Sequence, residues 1–140
     1  MSRIALVAAL SMTGAALAGC AATPREQAAM AERNARDAAR LDQRLAGYTA
    51  GEPVSCLPVN TTRRSEYFGD TILYEVSGKL VYRNDTSGGC ALDRGDILVT
   101  STPIGSLCRG DIARTVDRAS RFPSGSCALG EFVPYRKDKS

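Results

Sequence analysis

Four cysteines in the C-terminal part of the chain restrict its fold more than any other feature. Cys56, Cys90, Cys108 and Cys127 are separated by 34, 18 and 19 positions. A fifth, Cys20, ends an apolar N-terminal segment that has the layout of an export signal. An even set of cysteines in an exported chain predicts two disulfides, whereas a zinc site would normally use a C-x-x-C pair, which is missing. Of the three pairings, we favour Cys90–Cys108 and Cys56–Cys127.

The N-terminal segment also has a more specific interpretation. Arg3 precedes the apolar residues 4–10, and Leu17-Ala18-Gly19-Cys20 follows. This arrangement resembles the lipobox of bacterial lipoproteins. The resemblance implies removal of a signal peptide at residues 1–19, diacylglycerol on the Cys20 sulfur and a fatty acyl group such as palmitate on the new amino terminus. The alternative is ordinary secretion, with cleavage before Gly19.

The position after the cysteine bears on the destination of the chain. Ala21 stands there rather than an aspartate. By analogy with lipoprotein sorting in Gram-negative bacteria, we expect an outer-membrane lipoprotein in the cell envelope that faces the periplasm. Three acyl chains would make attachment to the membrane effectively permanent.

Composition restricts the function of the remaining 121 residues. The full chain carries a net charge of +3 and has neither histidine nor tryptophan. Such a small charge provides no strong field for nucleic acid. Without histidine, the chain lacks the commonest general base and the commonest metal ligand, so we expect no metal and no cofactor. The size suits one domain.

Residues 20–52 are predicted to form a lipidated N-terminus, a spacer helix and a linker. Thr23 is a good N-cap, Pro24 suits the first helical position, and Glu26 completes a capping box. The helix should run to Leu45, with Gly47 ending it. Its apolar stripe is thin, which favours a solvated spacer. Packing on the domain through Leu41 and Leu45, self-association and contact of the arginine-rich face with lipid head groups are the alternatives.

Residues 53–135 have the short apolar runs and frequent turn residues of a β domain. Thr71–Val76 and Lys79–Arg83, separated by Ser77-Gly78, form the clearest hairpin signal. We therefore predict a mainly β fold, a small antiparallel sandwich or open barrel cross-linked by two disulfides, with a solvated tail at 136–140. The remaining strands are expected at 56–59, 96–100, 111–116 and 128–133.

Several segments of this domain follow a common order. They are Cys56-Leu57, Ile72–Val76, Gly89-Cys90-x-Leu92, Leu107–Ile112 and Cys127–Pro134. Their order resembles an uncharacterised family of small exported proteins from Gram-negative bacteria. The resemblance implies a cysteine-linked domain built for the envelope and supplies no catalytic residue.

Candidate catalytic groups are few. No G-x-S-x-G segment is present. Asp93, Asp96, Asp111 and Glu131 could form a carboxylate pair that hydrolyses an envelope polymer, but no spacing places any two of them together. Arg109 and Asp111 flank Gly110 and are expected to form an ion pair beside Cys108. A carboxylate-dependent hydrolase is therefore an alternative, not the favoured function.

The hairpin offers a candidate binding patch. Tyr74 and Tyr82 could be cross-strand neighbours, with Arg83 beside them, and an aromatic patch edged by arginine is typical of protein or glycan contacts. Core packing of the rings is the favoured interpretation, and the binding patch is the alternative. We expect a non-enzymatic envelope lipoprotein with no catalytic residue, whose β domain binds a periplasmic protein or peptidoglycan. A purely structural envelope factor is a further alternative.

Overall fold

The structure, a computed structural model, describes residues 22–90, 92 and 95–138. The predicted signal and Cys20 lie outside these residues, as does Asp93. Within the described residues the chain is mainly β, with one α-helix, α1, and eleven strands. Their bounds are α1 Pro24–Leu45, β1 Tyr48–Ala50, β2 Cys56–Pro58, β3 Arg64–Phe68, β4 Thr71–Ser77, β5 Leu80–Asp85, β6 Ser87–Gly88, β7 Ile97–Thr100, β8 Ser106–Cys108, β9 Ile112–Val116, β10 Pro123–Ala128 and β11 Phe132–Lys137.

The start of α1 is the predicted capping box. The backbone N–H of Glu26 donates to Thr23 Oγ1 at 3.3 Å, and the Glu26 carboxylate accepts from the Thr23 backbone N–H at 2.8 Å. The helix ends at Leu45, and Gly47 takes the left-handed conformation with φ 76°. The chain divides after Glu32 into two compact units, and the second, from Arg33 onward, contains all eleven strands.

A five-stranded antiparallel sheet is built around the predicted hairpin. Its order is β1-β11-β5-β4-β3, and the hairpin pairs Tyr74 directly with Tyr82. The outer strand β1 lies in the predicted linker, and β11 extends to Lys137 in the predicted tail. Strand β11 lies between β1 and β5 and forms backbone hydrogen bonds with both. The predicted linker and the start of the predicted tail therefore contain paired strands.

Two smaller antiparallel sheets complete the β structure, a four-stranded sheet β6-β10-β9-β7 and the pair β2-β8. A core cluster joins one face of the five-stranded sheet to them, with Ile72 and Phe132 on the first side and Leu57, Leu107 and Ala113 on the other. Burial of these side chains from both sides supplies the main hydrophobic stabilisation. The result is a layered, disulfide-linked antiparallel β fold.

The opposite face of the five-stranded sheet is covered by the C-terminal half of α1. Leu41 is 6% exposed and packs with Phe68 and Leu73, and Leu45 adds to this second cluster. Arg40 stacks over the Phe68 ring, 5.2 Å from its centroid. The helix from Arg33 onward therefore packs on the domain and is not a solvated spacer. This agrees with the alternative prediction, in which Leu41 and Leu45 pack on the domain.

Both disulfides form, but the predicted pairing is wrong. The bridges are Cys56–Cys108 and Cys90–Cys127. Strand register explains the difference, because β2 and β8 place Cys56 directly opposite Cys108. Cys90 follows β6, and β6 pairs with β10 at Cys127. The first bridge therefore joins register partners, the second joins β10 to the residue two positions after its partner Gly88, and neither joins the two ends of the domain.

The predicted strand at 128–133 is also wrong. Ala128 is the last residue of β10, Phe132 is the first of β11, and the residues between them turn the chain. The backbone N–H of Leu129 donates to the Asp111 carbonyl in this turn. The apolar run was misread because Leu129 and Phe132 are buried core residues that flank a turn rather than one face of a single strand.

Candidate functional site

The predicted binding patch does not form one exposed surface. Tyr74 is only 3% exposed, and its ring lies 5.8 Å from that of Phe132. Tyr82, opposite it, is half-buried on the same face. Arg83 pairs with Leu73 in register, which places it on the other face, where its Nε donates to Asp85 at 2.9 Å. Core packing is thus the interpretation that fits Tyr74.

The carboxylates proposed for hydrolysis have separate structural partners. Asp96 is buried and accepts a hydrogen bond from the Ser124 hydroxyl. Asp111 accepts the Cys108 backbone N–H at 2.8 Å, which closes the turn after β8. Neither interaction brings one of these acids towards another.

Glu131 forms an ion pair with Arg109. This pair stands in place of the predicted ion pair between Arg109 and Asp111. Arg109 Nη1 donates to Glu131 Oε1 at 2.9 Å, with both side chains largely exposed. The pair connects the turn after β8 with the turn before β11. The partners of Asp96, Asp111 and Glu131 therefore bring no two of these predicted acids together, and Asp93 lies outside the described residues.

A cleft of about 340 Å³ opens between the edge of the five-stranded sheet and β7. We call it the hydroxyl cleft, because most of its polar lining groups are hydroxyls. Its apolar walls come from Val59, Leu98 and Leu107. The polar lining consists of Thr62, Arg63, Arg64, Ser65, Tyr67, Tyr74 and Thr100. The sequence did not predict this site, because residues 59–65 show no periodic pattern of apolar side chains and contain no recognised motif.

Two hydroxyls of the cleft lack partners. The side-chain oxygens of Thr62 and Tyr74 are buried and make no hydrogen bond. Burial raises the pKa of Tyr74 far above its ordinary value, and the neighbouring Tyr67 adds to the increase. Burial also raises the pKa of Tyr67, with Ser65 partly opposing it. Both phenols are therefore neutral hydrogen-bond donors at physiological pH.

The charge of the cleft comes from two adjacent arginines with different surroundings. Arg64 Nη2 donates to Glu66 at 2.8 Å and to Glu75 at 3.2 Å. Arg63 alternates with Arg64, so it belongs to the face of Ser65 and Tyr67, and it is exposed without an ion pair to any described residue. The lining includes no described carboxylate, so the guanidinium of Arg63 makes the entrance of the cleft positively charged.

The outer face of the four-stranded sheet is a second candidate site. Ala113 and Thr115 of β9 are fully buried and point into the core. Because side chains alternate along a strand, Ile112, Arg114 and Val116 point outward. Side chains of the neighbouring strand β7 alternate in the same way, and its register with β9 places its outward side chains beside these three.

The β7 residues on this face are also apolar. Ile97 lies opposite Val116, and Val99 lies opposite Arg114. Val99 is 47% exposed and Ile112 is 57% exposed. We call the set Ile97, Val99, Ile112, Arg114 and Val116 the outer face. It presents aliphatic side chains around one exposed arginine, which is the composition of many protein contacts.

The described residues contain no cluster of histidine, cysteine or acidic groups able to hold a metal ion. No helix in the described part of the chain is both long enough and apolar enough to cross a membrane. Comparisons with protein families, with curated proteins and with solved structures find no match to this chain. The lipoprotein signal and the resemblance to uncharacterised exported proteins stay predictions.

Proposed function

We propose that this chain is an exported, lipid-anchored protein of the bacterial envelope that acts by binding a partner protein rather than by catalysis. The outer face of the four-stranded sheet is the observation that carries the binding part of the proposal. We place the protein in the outer membrane, facing the periplasm, on the basis of the lipobox and Ala21.

The disulfides support export. Cys56–Cys108 and Cys90–Cys127 use four of the five cysteines, and such bridges persist in oxidising compartments. Cys20 is the remaining cysteine, and it stands at the position that lipid attachment requires. This division of the cysteines agrees with an anchor at Cys20 and a disulfide-linked domain after it.

The outer face supports a protein partner. Soluble domains rarely leave several neighbouring aliphatic side chains of one sheet exposed, and such patches commonly mark interaction sites. Val99 and Ile112 would form the apolar centre of the contact, and Arg114, opposite Val99 and next to Ile112 on the same face, would bind a carboxylate of the partner. A protein with an apolar patch and one acidic group is therefore the expected partner.

The anchor is tested by mass spectrometry of the membrane-extracted protein. We expect Cys20 to be the first residue and to carry three acyl chains, and we expect Cys20→Ser to prevent lipidation and removal of the signal by the lipoprotein route. A chain that begins at Gly19, or an unmodified Cys20 in the mature protein, would exclude the anchor.

The binding surface is tested by photocrosslinking in intact cells. Benzoylphenylalanine at Val99 or Ile112 should give an adduct with one and the same protein, whereas the probe at exposed Lys79 in the β4–β5 turn should not. Arg114→Glu should abolish the Val99 adduct and leave both disulfides intact. Equal adducts from all three positions, or none from the outer face, would refute the proposed surface.

A further inference from the structure

We infer that the hydroxyl cleft binds a small organic carboxylate, with Arg63 holding the carboxylate and the hydroxyls of Thr62 and Tyr74 donating to oxygen atoms in the body of the ligand. This site is separate from the outer face, so the inference does not depend on the proposed protein partner.

Charge determines the ligand class. Arg63 lines the cleft and has no ion pair with a described residue, whereas Arg64 is engaged by Glu66 and Glu75. A guanidinium can bind a carboxylate through two parallel N–H···O bonds. No described carboxylate lines the cleft, so none of the described lining side chains would repel an anion.

The two unpartnered hydroxyls indicate that the ligand must also accept hydrogen bonds. Leaving a buried hydroxyl without a partner costs free energy, and most buried polar groups in proteins are satisfied. Thr62 and Tyr74 are both unsatisfied, and both line the same cleft. A ligand with hydroxyl or amide oxygens would satisfy them. Because the two oxygens are nearly inaccessible, binding should widen the cleft slightly beside Tyr74.

The size and walls of the cleft limit the body of the ligand. A volume of about 340 Å³ is near the lower end of small-molecule sites. Leu98 and Leu107 form an apolar wall against which a sugar ring or a short side chain could pack. We therefore expect a compact carboxylate with several oxygen acceptors, such as a carboxylated amino sugar.

N-acetylmuramic acid is a suitable probe, since it joins a carboxylate to a ring that carries hydroxyl and acetamide groups. N-acetylglucosamine is its neutral control, because it carries a free 3-hydroxyl in place of the lactyl ether that bears the carboxylate. Binding to the full disulfide-bonded chain is measured by isothermal titration calorimetry and by NMR shifts of the amides at 62–67. We expect N-acetylmuramic acid to bind at least about tenfold more tightly than N-acetylglucosamine or inorganic phosphate.

Variants separate the roles of the lining groups. Arg63→Ala should weaken binding of N-acetylmuramic acid at least about tenfold, whereas Arg136→Ala, at an exposed arginine on β11, should leave it unchanged. Tyr74→Phe keeps the ring in the core and should weaken binding several-fold. The inference is overturned if N-acetylmuramic acid does not bind, if N-acetylglucosamine or phosphate binds equally well, or if Arg63→Ala leaves the affinity unchanged.

Discussion

The side-chain amide of Asn84 binds the backbone of Gly130 through both of its polar atoms. Its oxygen accepts the Gly130 N–H at 3.0 Å, and its nitrogen donates to the Gly130 carbonyl at 2.8 Å. Asn84 is fully buried on β5. A Cβ atom at Gly130 would collide with the Asp85 carbonyl, so only glycine allows the turn to approach β5 this closely. This contact fixes the turn that leads into β11.

Removal of the Asn84 amide should therefore be costly. Asn84→Ala leaves the partly buried backbone groups of Gly130 without their side-chain partner and opens a small cavity, which together should lower the free energy of unfolding by about 2–4 kcal/mol. Urea unfolding measures the change. Asn60→Ala, at an exposed position, is the matched control and should stay within about 0.5 kcal/mol of the natural chain. A similar small effect for both variants would show that the Asn84 contact is not important for stability.

Local signals predicted the parts of the fold that depend on neighbours in sequence. The capping box at Thr23 and Glu26 and the β4–β5 hairpin depend on residues a few positions apart, and both were confirmed. Strand β3, Arg64–Phe68, was not predicted, because Arg64 and Glu66 interrupt the apolar run that signals a strand. In the structure they form ion pairs next to α1, a partner that only the tertiary fold supplies.

The sites were less predictable than the elements. The disulfide pairing depends on the register of β2 with β8, and four cysteines allow three pairings whatever their spacing. The hydroxyl cleft combines Thr62, Tyr74 and Leu98, which belong to separate segments and meet only when two sheets pack together. Tyr74 was singled out by its type, and the favoured interpretation, core packing of its ring, agrees with its burial.

The two disulfides should contribute unequally. Cys90 and Cys127 lie in the core cluster, whereas Cys56 is exposed and its bridge joins a short two-stranded sheet. Loop-closure entropy alone gives roughly 4 kcal/mol for either bridge, so packing should decide the difference.

We therefore expect Cys90→Ala/Cys127→Ala to destabilise the chain more than Cys56→Ala/Cys108→Ala, for which the cost should be about 2–4 kcal/mol. Urea unfolding of the two double variants compares them, and non-reducing peptide mapping of the natural chain verifies the pairing. A Cys90–Cys108 peptide, or a greater loss from the exposed bridge, would contradict this account.

The part of helix α1 from Arg33 onward should be an integral part of the domain. Arg44 Nε donates to Glu66 at 3.2 Å and Arg44 Nη2 to Glu75 at 3.1 Å, beside the buried Leu41. Leu41→Ala should cost about 2–4 kcal/mol of unfolding free energy because it leaves a cavity against Phe68 and Leu73.

Ala38→Gly on the exposed side of the same helix measures helix propensity alone and should cost about 1 kcal/mol. Chemical denaturation of both variants supplies the comparison. If Leu41→Ala costs no more than Ala38→Gly, the helix is a spacer after all.

The first turn of α1 should respond to pH through Glu26. Hydrogen bonds from the backbone and side chain of Thr23 hold the pKa of the Glu26 carboxyl below its ordinary value. The ionised form is thus favoured in the folded state, so its contribution is complete above the unfolded pKa and is lost as the pH falls through the folded pKa. An NMR titration of Glu26 should show the lowered pKa. Thr23→Ala should raise it towards the ordinary value, and Thr49→Ala should leave it unchanged; equal titration in both variants would exclude the capping box as the cause.

The buried hydroxyl of Tyr74 should lower the stability of the ligand-free protein. Its oxygen has no hydrogen-bond partner, while the ring packs against Phe132 in the core. Tyr74→Phe removes the unsatisfied group and keeps the ring, so the free energy of unfolding should stay equal or rise by about 1 kcal/mol. Thermal unfolding with and without N-acetylmuramic acid tests this, with Tyr82→Phe on the neighbouring strand as control. If the Tyr74 hydroxyl binds ligand in the cleft, Tyr74→Phe should be at least as stable as the natural chain without ligand. Added N-acetylmuramic acid should then raise the melting temperature of the variant less than that of the natural chain. A variant that is clearly less stable without ligand would mean that the hydroxyl has a structural role.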